Sequence, residues 1–130
     1  MSEYVTVDVK FYDGDCLIEA LKAIYPEVEV HEQAKDLIGY DSRGRGKKAH
    51  IIVRKKHISS VSNDLGFELI GNEYHVHISD YDIKKGKTII PRIKQEYAVA
   101  KTIKTARQRG WSVRRENVEG KVKLTVKGIR

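Results

Sequence analysis

Apolar and polar positions alternate cleanly in "YVTVDVKFY": Val5, Val7, Val9 and Phe11 fall on one side, Thr6, Asp8 and Lys10 on the other. A period of two predicts a half-buried strand. In "DGDCLIEALKAIYP" the period lengthens to that of a helix, with Leu17, Ala20, Leu21 and Ile24 in one stripe. Asp13 or Asp15 fits its N-cap, and Pro26 stops it. "VEVHEQ" fits a short strand, and a second strand centres on "LIGY". A glycine-arginine loop follows, and "AHIIVRKKH" leads out of it as a third. "GFELIGNEYHVHISDYD" predicts a hairpin turning at Gly71-Asn72, with Tyr74, Val76 and Ile78 facing inward.

The longest helical pattern is "TIIPRIKQEYAVAKTIKTARQRG", where Ile89, Ile93, Tyr97, Ala100 and Ile103 share a side. Pro91 is tolerated in its first turn, and Gly110 suits its C-terminal cap. "WSVRRENVEGKVKLTVKG" closes the chain as a hairpin turning near Glu119-Gly120. The order is β-α-β-β-β-β-α-β-β. Short connections between strands imply an antiparallel sheet, here of about six strands, with two amphipathic helices on one face. The class is α+β, and residues 1–130 make a single domain. The other face then carries the polar members of each strand, which are heavily basic with several histidines.

Composition narrows the setting. The chain is 40% hydrophobic and 33% charged, so a core of moderate size closes and disorder is disfavoured. Its uncharged runs fall far short of the roughly 20 residues of a membrane span. The first residues lack a signal-peptide pattern. Cys16 is the single cysteine, which excludes an internal disulfide and a multi-cysteine zinc site. Cys16 itself reads as a small buried hydrophobe in a helical first turn. A soluble cytoplasmic protein is expected. The net charge of +7 is unevenly spread: residues 1–41 hold three cations against ten acids, residues 42–130 hold 22 against eight. Folded apart, those halves would give one acidic and one basic surface, the latter drawn to phosphate-rich partners.

Three stretches, "AHIIVRKKHISSVSNDLGF", "YHVHISDYD" and "QEYAVAKTIKTARQRGW", resemble the hypothetical chloroplast reading frame thirty-five family, a domain of unknown function. That family is found in plastid genomes, cyanobacteria, other bacteria and bacteriophages. "KHISSVSNDLGF" followed by "ISDYD" is the most distinctive part, and "HVH" departs from the pattern. The resemblance implies a fold and no activity.

In "SRGRGKKAHIIVRKKH" seven of sixteen residues are cationic and none is acidic. Glycines admit an anion close to the backbone, and guanidinium forks bind phosphate bidentately. Arg43, Arg45, Lys47 and Lys48, continued by Arg54, Lys55 and Lys56, would then form one positive stripe. The spacing is not that of a Walker A loop. On the long helix, Lys94, Lys101 and Lys104 form a cationic flank, with Lys84, Lys85 and Lys87 before it; a solvated helix side has the same look. "SNDLGF" is a turn by composition, and His57, Ser62, Asn63 and Asp64 would cluster beside Asp82 of "SDYD". Its carboxylates would bind a metal or orient Arg54, or else the loop is held by its own hydrogen bonds. His75 and His77 share one face of a strand and are weak metal candidates with Asp80, Asp82 or His50. Tyr4, Tyr12, Tyr40, Tyr81 and Trp111 are available for stacking on bases, although Trp111 is expected beneath the helix.

These features favour a non-enzymatic module that binds nucleic acid or nucleotide, with no catalytic residues, no cofactor and no membrane. A protein–protein adaptor or assembly subunit with acidic and basic docking faces is the alternative. A small metal-dependent hydrolase on His75, His77, Asp80 and Asp82 is the third.

Overall fold

A computed structural model describes residues 3–85 and 87–128, without the side chains of Arg45 and Lys85. The elements are β1 (Tyr4–Phe11), α1 (Gly14–Ile24), β2 (Glu29–Ile38), β3 (Gly44–Val53), β4 (Leu65–Ile70), β5 (Glu73–Ser79), α2 (Asp80–Lys85), α3 (Ile89–Gln108), β6 (Ser112–Val118) and β7 (Lys121–Lys127). A single 3-10 turn covers Lys55–His57. The fold is α+β and antiparallel, as the alternation predicts. The strands do not share one sheet, however. Five pair in the order β1-β5-β4-β3-β2, and β6 and β7 form a separate two-stranded hairpin.

Helices α1 and α3 cover one face of the five-stranded sheet. Leu17 and Leu21 of α1 and Ile93 of α3 close the core against Phe11, Ile51, Val53, Leu65, Phe67, Val76 and Ile78. Asp13 caps α1, its carboxylate accepting from the Cys16 amide at 3.1 Å. α3 ends in a Schellman turn: Gly110, at φ 73°, donates to the Arg107 carbonyl and Trp111 donates to that of Ala106. The two predicted hairpin turns form where expected, with positive φ at Gly71, Glu119 and Gly120.

Strand register assigns the other face. Thr6 opposes His77, His77 opposes Gly66, Gly66 opposes Ile52, and Ile52 opposes Glu29. That face is therefore mixed, and the expected basic sheet face does not form. A second small cluster of Leu37, Ala49 and Ile52, flanked by Tyr4, covers part of it. Gly66 makes room for that cluster, since a Cβ there would lie 2.6 Å from Leu37 and 2.7 Å from Ala49.

Most of "VEVHEQ" and the first half of "LIGY" belong to one ten-residue strand, β2, with register shifts between Val30 and Lys35 and between Asp36 and Ile38. The glycine-arginine stretch is mostly strand as well. The tight turn spans 39–43, and Gly46 at φ 76° takes up the second shift inside β3. The sequence reading also lacked α2. Its signal is the S-x-x-D spacing of a capping box: Ser79 Oγ accepts from the Asp82 amide at 3.0 Å and donates to its carboxylate at 2.8 Å. Among the described residues no helix is long and apolar enough to cross a membrane.

Candidate functional site

Only residues 62–64 of "SNDLGF" form the expected turn, because Leu65, Gly66 and Phe67 already pair in β4. The segment is almost fully buried, with Asn63 and Asp64 each 1% exposed. A buried carboxylate needs donors on every side, and Asp64 has them. Its Oδ1 accepts from the Lys55 amide at 2.8 Å, and its Oδ2 from the Ile38 amide and Arg54 Nη1, both at 2.8 Å. The Asp64 carbonyl accepts from Tyr4 Oη at 2.6 Å, and its amide donates to the Ile38 carbonyl at 3.0 Å. Asn63 works the same way. Its Oδ1 accepts from the Tyr40 amide, its Nδ2 donates to Ser79 Oγ, and its amide donates to Asp82 Oδ2. The predicted cluster thus forms around Asn63, Asp64 and Asp82, with Ser79 as a further member. It ties the end of β2, the end of β3 and the start of α2 together.

Arg54 is spanned by two carboxylates. Glu29 takes its Nε and Nη2 at 2.7 and 2.9 Å, and Asp64 takes Nη1. The Arg54 hydrogen bonds hold the Glu29 carboxyl down at about 2, with His31 lowering it further and burial opposing. Lys55 Nζ donates to the carbonyls of Gly39 and Tyr40 at 2.8 and 3.0 Å and lies 3.3 Å from Ser42 Oγ. It closes the β2–β3 turn from below. The expected positive stripe is therefore interrupted at Arg54 and Lys55, whose charges are spent on the fold. Arg43, Lys48 and Lys56 are exposed and Lys47 half-buried, while the Arg45 side chain lies outside the described residues. Lys48 opposes Asp36 across the strands, and the Asp41 carboxylate accepts from the Arg43 amide. Acids of the first third thus sit among these cations, and the linear charge split is no clean spatial one here.

The cationic flank of α3 is also divided. Lys104 lies 2.6 Å and Lys101 3.8 Å from Asp13, whose carboxyl is lowered to about 2, chiefly by the Lys104 hydrogen bond. Lys94 is exposed. Arg115 makes two 2.8 Å bonds to Glu96, an acid that α3 places on its buried side. Sequence reasoning missed that pair; an acid on an apolar stripe four residues after Arg92 was its one local signal.

The two histidines of "HVH" part company. His77 is buried, its Nδ1 3.2 Å from Thr6 Oγ1 and its Nε2 2.8 Å from Glu68. His75 lies 3.3 Å from Glu73. Asp80 accepts from the amides of Glu3 and Tyr81, and His50 Nδ1 accepts from that of Leu69. Among the described residues no three His, Cys, Asp or Glu side chains converge as metal ligands. His57 and Ser62 line a recess of about 390 Å³ together with Asp82, Ser59, Tyr81 and Arg92. The His57 Nε2 is buried without a hydrogen bond, 3.4 Å from a Glu27 oxygen off the bonding direction.

Of the aromatics, Tyr12 and Tyr40 are 62% and 50% exposed. Trp111 lies beside Thr105 and Ala106 of α3 and stays 37% exposed, with the Arg109 guanidinium 5.1 Å from its ring centre.

Compared with curated proteins and with solved structures, the chain finds no match. Residues 20–126, which include the braced turn and both hairpin arms, match the family described as protein of unknown function (DUF1257), and the chain belongs to that family.

Proposed function

We propose that the chain is a cytoplasmic, non-enzymatic binding module that takes a phosphate-bearing ligand, nucleic acid or nucleotide, on the arm formed by the β2–β3 turn and the first half of β3. Within its family we place it with the hypothetical chloroplast reading frame thirty-five group, on "KHISSVSNDLGF" and "ISDYD". One observation carries the functional reading. The buried Asn63-Asp64 turn and Lys55 fasten the Ile38 and Tyr40 amides and the turn carbonyls, so the arm bearing Arg43, Arg45, Lys47 and Lys48 is braced. A braced cationic arm loses little conformational freedom on binding, which favours affinity from a small interface. Asp36 and Asp41 temper its field, so it suits a few phosphates rather than a long duplex tract.

Fluorescence anisotropy with short RNA and DNA at roughly 50 and 200 mM salt tests this. Binding should weaken steeply with salt, and Arg43→Glu with Lys48→Glu should lower affinity at least tenfold. Salt-insensitive binding, or none to either nucleic acid, removes the reading. A single stoichiometric protein partner that survives nuclease treatment would instead support the adaptor.

A further inference from the structure

Residues 101–128 hold nine Lys or Arg against two acids, a net +7 that equals the charge of the whole chain. They fold as the C-terminal half of α3 and the β6–β7 hairpin, outside the main sheet. Directly opposed residues of an antiparallel pair share a face. One hairpin face therefore carries Val113, Arg115, Val122, Leu124 and Val126; the other carries Arg114, Lys121, Lys123 and Lys127 with Glu116. The first turns to α3, where Arg115 meets Glu96 and Val126 helps line a groove of about 370 Å³. Lys101, Thr102, Thr105, Ala106 and Trp111 line the rest, and none of these is acidic. That volume lies within the ~300–1,000 Å³ range of small-ligand sites.

Trp111 is the chain's only tryptophan. It follows the Schellman glycine, a position whose apolar side chain usually packs back on the helix. Its partial exposure leaves an indole surface between the Arg109 guanidinium and the groove. An aromatic plane amid cations and hydroxyls stacks bases without reading their sequence. We propose that the α3–hairpin groove is a single-stranded nucleic-acid subsite. One unpaired base stacks on Trp111, the neighbouring phosphates meet Arg109 and Lys101, and the basic hairpin face extends the field along the strand. A duplex keeps its bases stacked internally and cannot offer one.

The inference rests on the reading above for the class of ligand but uses different residues. Titration with a thymidine 12-mer, its duplex form and inorganic phosphate separates the two, with Trp111 as the intrinsic fluorophore. The single strand should quench Trp111 and the other two should not. Trp111→Ala should weaken binding about 5- to 150-fold, the range for losing one stacked base, and Trp111→Phe should retain most of the affinity. Thr105→Glu puts an acid into the groove from an exposed helical position and should weaken binding with Trp111 intact. Unchanged fluorescence on binding, with Trp111→Ala and Thr105→Glu at full affinity, overturns the subsite and leaves the arm standing. Full affinity of the Arg43/Lys48 variant beside loss in Trp111→Ala overturns the arm and leaves the subsite. No binding by the unaltered protein overturns both.

Discussion

A buried aspartate that makes five hydrogen bonds cannot be removed cheaply. Asp64→Ala strips the partners from two buried amides and from one side of Arg54. Breaking such a set costs about 3–5 kcal/mol, read as a lower denaturant midpoint; a loss under ~1 kcal/mol would mean that water replaces the carboxylate. Gly66→Ala fails for the opposite reason. Its methyl would press on Leu37 and Ala49 at 2.6–2.7 Å, and crowding of that kind costs about 1–3 kcal/mol. Glu29 adds a pH signature. Folding lowers its carboxyl from the ordinary 4.5 to about 2, so its contribution is complete above the ordinary value and fades as pH falls towards 2. Denaturation of Glu29→Gln and the parent should show a stability gap near pH 6 that narrows below about pH 4. An equal gap at both values would show that Arg54 does not hold Glu29 as an anion. The sequence announced the turn at 62–64 through Ser, Asn and Asp, whereas Gly66, expected in that turn, belongs to β4. The sequence could not announce the burial, because the donors that saturate Asp64 come from outside the segment: Tyr4 and Ile38 far along the chain, Arg54 and Lys55 beyond the end of β3.

Elements were legible wherever a local period set them. Val76, Ile78, Leu17 and Leu21 point inward as alternation and helical spacing require. Strand boundaries failed at β2, where the register shifts broke the alternation that would have joined its two halves. Sheet membership failed at β6 and β7, since an apolar-polar pattern names the buried face but not its cover. The cover is α3, and a two-stranded hairpin alone is marginal in water. Arg115 fixes it there, so Arg115→Ala leaves Glu96 buried and unpaired. Hydrogen exchange should then rise across residues 112–127 while β4 and β5 stay protected. Uniform loss of protection in both regions would show the hairpin to be part of one cooperative unit with the sheet.

At the scale of the whole molecule the charge is partitioned by folding rather than by sequence position. Asp13 pairs with Lys104 and Glu29 with Arg54, so acids of the first third neutralise cations of the rest at these joints, and Asp36 stands opposite Lys48. On the closing hairpin, Lys121, Lys123 and Lys127 share one face with a single acid, Glu116. Counterion release makes this measurable, because every phosphate that a cation no longer neutralises lowers the slope of log K against log salt by about 0.7 for a single strand. Lys121→Gln, Lys123→Gln and Lys127→Gln remove three exposed cations from one face of the hairpin. Thermal stability should hold, because these side chains project from the face turned away from α3. The salt slope should drop by about two, three phosphates at 0.7 each being the ceiling. Arg43→Glu with Lys48→Glu would lower it separately if both surfaces grip the same strand. A triple variant with an unaltered slope would show that the basic hairpin face takes no phosphates of the strand.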